Sequence, residues 1–276
     1  MTREPAGGVR YEVRVGGDGP PLLLIHGFTG RGTTWGPHLP VLRRSFTTVV
    51  VDLLGHGRSD SPVDPARHAV ERQADDLALI LRHLDATPAG VLGYSFGARV
   101  GLMLALQSPA IVGRLVLESP SAGIADPTER AARRDADEAL AHALERDGVQ
   151  EFVTHWEALP LFASHSRLSP AVRRELHAGR LRNDAEGLAA SLRGAGQGTM
   201  PSLSDRLAEV RSPTLVVAGE FDPVRRRSES VAAGIPGAQL VVVPDAGHTP
   251  HLETPSAFRE AVLSFLLPSI PTQEAN

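Results

Sequence analysis

The sequence predicts a doubly wound, mostly parallel α/β sheet interrupted by an inserted helical segment. Short apolar, β-branched runs recur along the 276 residues, with segments of helical apolar spacing between them. The alternation stops after Glu118 and resumes only past residue 206. Strands that alternate with helices imply parallel pairing through crossover helices, which cover both faces of the sheet.

Tyr11-Val15, Pro21-Ile25 and Thr47-Leu53 read as the first strands. Val70, Ala74, Leu77, Ile80, Leu81 and Leu84 then recur at helical spacing. Ala89-Leu92 and Arg114-Glu118 are strands on either side of a helix-like stretch, Ala98 to Gln107. Residues 119–206 are polar and rich in Ala and Arg, with helical periodicity and no strand pattern. Pro213-Ala218 and Gln239-Val243 restore the strand pattern, and Phe258, Val262 and Phe265 mark a last helix. Most strands are expected to be parallel and interior. The expected organisation is a core of residues 1–118 and 207–276 with a helical lid at 119–206. Loops at the carboxyl ends of parallel strands carry the ligand site in such sheets, so the insertion should roof a pocket. Pro268 to Asn276 reads as a frayed tail.

Composition removes whole classes of function. At 42% apolar residues the chain can bury one large core, and its net charge of -4 predicts no nucleic-acid partner. No stretch approaches the roughly 18 consecutive apolar residues of a membrane span, and Met1 to Arg10 lacks the apolar core of a signal peptide, so a cytoplasmic protein is expected. With no cysteine, disulfides, thiolate metal sites and a cysteine nucleophile are excluded. All 28 basic residues are arginine, which excludes a lysine Schiff base and a Walker-type phosphate loop.

The chemistry converges on Ser95, in Gly93-Tyr94-Ser95-Phe96-Gly97 between the run Gly90-Val91-Leu92 and the helix-like stretch. The two glycines allow a strand to turn sharply into a helix, exposing the hydroxyl near a helix N-terminus. A serine hydroxyl is a poor nucleophile or base until an imidazole reaches it and a carboxylate fixes that imidazole's tautomer. Asp222, in Gly219-Glu220-Phe221-Asp222, and His248, in Asp245-Ala246-Gly247-His248, each follow a strand and should project on the serine's side. His251 and Asp245 are the rival base and acid. An oxyanion hole needs two convergent amides, which Phe28 in His26-Gly27-Phe28 and Phe96 after Ser95 would supply. His26 and His56, in Gly55-His56-Gly57, read as structural.

Taken together, His26-Gly27-Phe28, Gly55-His56-Gly57, Gly93 to Gly97, Asp222 and Gly247-His248 resemble the α/β-hydrolase superfamily over nearly the whole chain. The order serine, acid, histidine is the one used by that fold. The superfamily hosts esterases, C-C hydrolases and lyases alike, so the resemblance implies fold and triad rather than substrate.

A finer pattern narrows the choice. Arg99 lies four residues after Ser95 on the same helix face, where an ester hydrolase would want an apolar wall, and arginine binds carboxylate bidentately. Tyr94-Ser95 with Arg99, Leu117-Glu118-Ser119 with Arg130, Arg133 and Asp137, Trp156 with Leu159 to Ser164, and Arg180 ahead of Gly187-Leu188-Ala189 are similar to the 2-succinyl-6-hydroxy-2,4-cyclohexadiene-1-carboxylate synthase family of menaquinone biosynthesis. That resemblance implies a small-molecule substrate bearing three carboxylates and loss of pyruvate without metal or organic cofactor. It further implies Arg99, Arg133 and Arg180 as carboxylate ligands, with Tyr94 and Trp156 lining the pocket. The chain departs from the family after Asp222, where Pro223-Val224-Arg225 replaces the family's lysine and aromatic residue, and Arg225 is the candidate substitute. A serine hydrolase of a small ester, lactone or C-C bond with an acidic substrate is the alternative.

Overall fold

The computed structural model describes residues 2–267, so the tail at 268–276 lies outside the described residues. Eight strands form one sheet in the order β1-β2-β4-β3-β5-β6-β7-β8. They are β1 (Thr2–Ala6), β2 (Val9–Gly16), β3 (Pro21–Ile25), β4 (Thr47–Val51), β5 (Ala89–Tyr94), β6 (Val112–Glu118), β7 (Thr214–Gly219) and β8 (Gln239–Val243). β1–β2 and β2–β4 pair antiparallel, and every later pairing is parallel.

Side-chain alternation along the central strands splits the core in two, because successive residues of a strand point to opposite faces. Leu23, Ile25, Val49, Val91, Leu115 and Val216 enter the core on one face. Their neighbours Leu22, Leu24, Val50, Leu92, Val116 and Leu215 enter the other. Both faces being dry is why these strands read as unbroken apolar runs. α2 (Val70–His83), α3 (Phe96–Gln107) and α7 (Arg225–Gly234) contribute buried residues to the first core; α1 (Leu39–Leu42) and α9 (Pro255–Leu266) contribute to the second. The short α8 (Pro250–Glu253) precedes α9.

Two edge strands depart from expectation. β1, Thr-Arg-Glu-Pro-Ala, has no apolar run; it pairs with β2 through the turn at Gly7 and Gly8, both at positive φ. Pro5 lacks an N–H, which an edge strand tolerates. β8 looks interior in sequence, yet it is the last strand of the sheet, paired among the described residues with β7 alone, and its Leu240 and Val242 are exposed.

Between β6 and β7 the described residues contain only helices: α4 (Pro127–Glu157), a 3-10 stretch at Pro160–Arg167, α5 (Pro170–Arg180), α6 (Ala185–Ala195) and a 3-10 turn at Ser204–Glu209. Asp126, Ser169 and Asp184 cap α4, α5 and α6 by accepting from the amides of Glu129, Val172 and Gly187. α4 breaks at Gly148, whose φ of 79° leaves the helical region. These helices bury a third cluster of their own, including Leu144, Phe152, Trp156, Phe162, Leu188 and Leu192, with Phe28 from the loop after β3 packed against it.

Burial lowers the proton affinity of His26, His38, His56, His68 and His165, to about 3 for His38 and about 4 for His165. A histidine held neutral in the fold but titrating near 6.5 when unfolded contributes stability that is complete above 6.5. That stability is lost as pH falls towards the folded value, at about 1.4 kcal/mol per pH unit for each group. The expected result is a loss of several kcal/mol of unfolding free energy between pH 7.5 and pH 5.5, read by urea titration at both values; equal midpoints would refute it.

Candidate active site

β5 ends at Tyr94 and α3 begins at Phe96, so Ser95 alone turns the chain. Its φ of 50° and ψ of -102° are strained for a residue with a Cβ, a cost of order 1–3 kcal/mol. The neighbouring strand helps hold it, since the Ser95 amide donates to the Glu118 carbonyl at 2.8 Å. A Cβ on Gly93 would lie 2.3 Å from the Gly97 carbonyl oxygen, and one on Gly97 would lie 2.3 Å from that of Ile25. Only glycine at both positions lets α3 start this close to the sheet.

His248 Nε2 lies 3.1 Å from Ser95 Oγ, and its Nδ1 lies 2.9 Å from Asp222 Oδ2. A carboxylate can only accept, so Nδ1 carries the proton and Nε2 is free to accept from the serine hydroxyl. The loops bearing Asp222 and His248 touch: a Cβ on Gly219 would meet the Gly247 carbonyl oxygen at 1.9 Å. Burial pushes the Asp222 carboxyl up, but the hydrogen bond from His248 and the Val224 amide at 3.0 Å outweigh it, leaving the group below its ordinary value and ionised. The amides of Phe28 and Phe96 make no hydrogen bond within the described residues.

The other candidates are placed elsewhere. His251 is fully buried with Nδ1 2.8 Å from Glu118 Oε1, and Asp245 is exposed. His26 donates to the Gly27 carbonyl and accepts from the Leu53 amide, and His56 packs between His26, Phe28 and Phe96, so both brace the loop beneath Phe28.

Sequence reasoning assigned no role to Glu253. Its Oε2 accepts from the Gly247 amide at 2.8 Å, and its Oε1 from the Thr249 amide and hydroxyl at 3.1 and 2.8 Å, so it clamps the residues on either side of His248. Burial raises its proton affinity, and these donors lower it further than burial raises it. The only sequence signal was a glutamate closing a Gly-His-Thr-Pro loop. Glu253→Ala is expected to lower turnover by about tenfold with little change in KM, because three donors lose their acceptor and the imidazole loses its register; steady-state kinetics would check it.

Ser95 opens onto a cavity of about 400 Å³ bounded by α3, α4, the 160–167 stretch, α6 and α7. Tyr94, Trp156, Phe28 and Phe162 form an aromatic wall, with Trp156 edge-on to Phe28 at 5.3 Å and stacked on Phe152 at 5.6 Å. Arg99 and Arg133 also line it. The Arg99 side chain is buried, lies over the Phe96 ring at 5.0 Å, and donates from Nη1 to the Ala195 carbonyl at 2.6 Å. Burial, with Arg133 and Arg227 nearby, pulls its guanidinium down to about 9 against an opposing effect of Asp137, so it stays charged at neutral pH. Arg133 pairs with Asp137 at 2.9 Å.

Two expected positions differ. Arg180 does not line the cavity: it lies over Phe162, and its Nη1 donates to Glu157 Oε1 at 2.7 Å, so a carboxylate from α4 already occupies it. Arg225 lies outside the cavity wall, paired with Glu229 at 2.9 Å and bonded to the Glu220 carbonyl. Arg227, unremarked in the sequence, lines the cavity instead.

Residues 20–255 match the family model described as alpha/beta hydrolase fold. A Bacillus subtilis (strain 168) protein provisionally named 2-succinyl-6-hydroxy-2,4-cyclohexadiene-1-carboxylate synthase is 38% identical over 264 residues, covering 94% of this chain and 95% of that protein. The structure of MenH from S. aureus is 31% identical with a TM-score of 0.88 and covers 96% of this chain and 98% of its own. A hydrolase from Pseudomonas aeruginosa PA01 is 33% identical with a TM-score of 0.81, over 95% and 96% of the two chains. Among the described residues no helix is long and apolar enough to cross a membrane.

Proposed function

The chain belongs to the α/β-hydrolase fold family, and on that premise we propose that it is a lyase. It eliminates pyruvate from 2-succinyl-5-enolpyruvyl-6-hydroxy-3-cyclohexene-1-carboxylate to give 2-succinyl-6-hydroxy-2,4-cyclohexadiene-1-carboxylate. The observation that carries this reading is a Ser-His-Asp array facing a cavity walled by three arginines, Arg99, Arg133 and Arg227, where an ester hydrolase would want apolar side chains. The 38% identity to the Bacillus subtilis relative supports it.

Ser95 Oγ, with His248 accepting its proton, acts as the base that takes the ring hydrogen beside the succinyl carbonyl. The C-H electrons form the 2,3 double bond, the 3,4 double bond moves to the 4,5 position, and the C5-O bond breaks to release the enolate of pyruvate, which takes back a proton. Charge developing on the succinyl oxygen is met by the Phe28 and Phe96 amides. Arg99 and Arg133 hold carboxylates, and Tyr94 and Trp156 bound the ring. Residues 119–206 act as a lid that keeps water from the carbanion. Every step is a proton transfer or an elimination, so neither metal nor organic cofactor is required, and a place in the cytoplasm fits a small, charged substrate.

The likeness to the Pseudomonas aeruginosa hydrolase favours a second reading, in which Ser95 is a covalent nucleophile toward an acidic ester, lactone or C-C substrate. Pyruvate release from the enzymatically generated substrate, coupled to lactate dehydrogenase, tests the first reading. Release at the spontaneous rate, together with labelling of Ser95 by a fluorophosphonate, would favour the second.

A further inference from the structure

α7 starts with three consecutive arginines, Arg225, Arg226 and Arg227, and no acid lies in its first turn. A helix N-terminus carries partial positive charge, so cations there oppose the helix dipole, and local conflicts of this kind tend to mark functional positions. Positions 225 and 227 point to nearly opposite sides of a helix, since two residues advance about 200° around its axis. Arg225 accordingly faces out and is neutralised by Glu229, whereas Arg227 reaches the mouth of the cavity that holds Ser95.

The surroundings of Arg227 leave its charge unmet. No carboxylate lies within 4 Å of it among the described residues, while Arg133, Arg180 and Arg225 each have one and Arg193 has two. Its one side-chain hydrogen bond among the described residues runs from Nη1 to Gln197 Oε1 at 3.1 Å, and the same oxygen accepts from Ser121 Oγ at 3.0 Å. That fixes the side chain at one corner and leaves the rest of the guanidinium fork available. Within the cavity wall, Arg99, Arg133 and Arg227 face a single carboxylate, Asp137. Burial, followed by repulsion from Arg133, lowers the proton affinity of Arg227 against the opposing pull of Glu129 and Asp222, as expected of cations gathered without enough counter-charge. Two positive charges in excess match two acid groups on one ligand.

We infer that Arg227, held by Gln197, binds a further carboxylate of the substrate at the cavity mouth, distinct from those assigned to Arg99 and Arg133, and so sets a preference for polycarboxylate over monocarboxylate ligands. This rests on the lyase reading for the identity of the substrate, but not for the charge it requires.

The test compares Arg227→Gln and Arg225→Gln with the wild type in two assays: pyruvate release, and calorimetric binding of benzene-1,3,5-tricarboxylate. Arg227→Gln should raise KM and the tricarboxylate Kd by about tenfold, typical of one lost charge-assisted hydrogen-bonded pair, with kcat within threefold. Arg225→Gln should change neither. Both constants within twofold of wild type for Arg227→Gln, or equal losses in the two variants, would overturn the inference. If wild-type protein releases no pyruvate, the lyase reading fails while a selective tenfold loss of tricarboxylate binding still supports Arg227. No tricarboxylate binding by the wild type would count against both.

Discussion

Ser95→Ala is expected to lower kcat for pyruvate release by about 10²–10⁴-fold while leaving KM within a few-fold, the span that general-base catalysis provides. The hydroxyl is the one group of this residue that faces the chemistry: it meets His248 Nε2 and makes no capping bond to α3. The variant keeps the Cβ and the strained backbone, so its melting temperature should not fall. The loss should also be insensitive to pH between 6 and 9, because a missing base cannot be titrated back. The same variant discriminates the two readings of the site. A covalent hydrolase would show a burst of product and fluorophosphonate labelling that vanish with the serine, whereas an elimination shows single-phase pyruvate release with no trapped intermediate. Unchanged release from Ser95→Ala would remove the serine from the reaction and leave His248 as the base.

How much of this was legible in the sequence follows from how local each signal is. β3 to β7 were readable because strands buried on both faces need apolar side chains throughout. β1 was not, since an edge strand of polar residues with a proline carries no such requirement, and β8 misled because the same apolar run occurs at an edge. Ser95, Asp222 and His248 stood out because each sits in a glycine-containing turn directly after a strand, and those turns bring the three within hydrogen-bond reach. Arg99 was visible from a spacing of one helical turn. Arg180 was not predictable in the same way: whether an arginine is free depends on its partner, and Glu157, 23 positions earlier, becomes that partner only when α4 and α5 pack. Arg225 was singled out and Arg227 was not, because which of them reaches the cavity hangs on the register of α7, which a shift of two residues reverses. Glu253 was hidden for a related reason, because its acceptors' value depends on the loop closing back over α8.

The second large effect concerns Arg99, whose loss is expected to cut kcat/KM for the carboxylated substrate by about 100-fold, mostly through KM, because a carboxylate bound equally in ground and transition states contributes to affinity rather than to turnover. Arg99→Gln is the variant of choice, since it keeps a donor for the Ala195 carbonyl, which alanine would leave unpaired at a further cost of about 1–3 kcal/mol in stability. Hydrolysis of neutral nitrophenyl acetate, however slow, should stay within twofold and so separates lost recognition from a damaged site. Arg99→Lys should recover only part of the affinity, since an ammonium keeps the charge but not the two-pronged donor geometry. Unchanged affinity in Arg99→Gln would show instead that the substrate's acid groups are held elsewhere in the cavity and that the buried arginine serves only to join α3 to α6 through the Ala195 carbonyl.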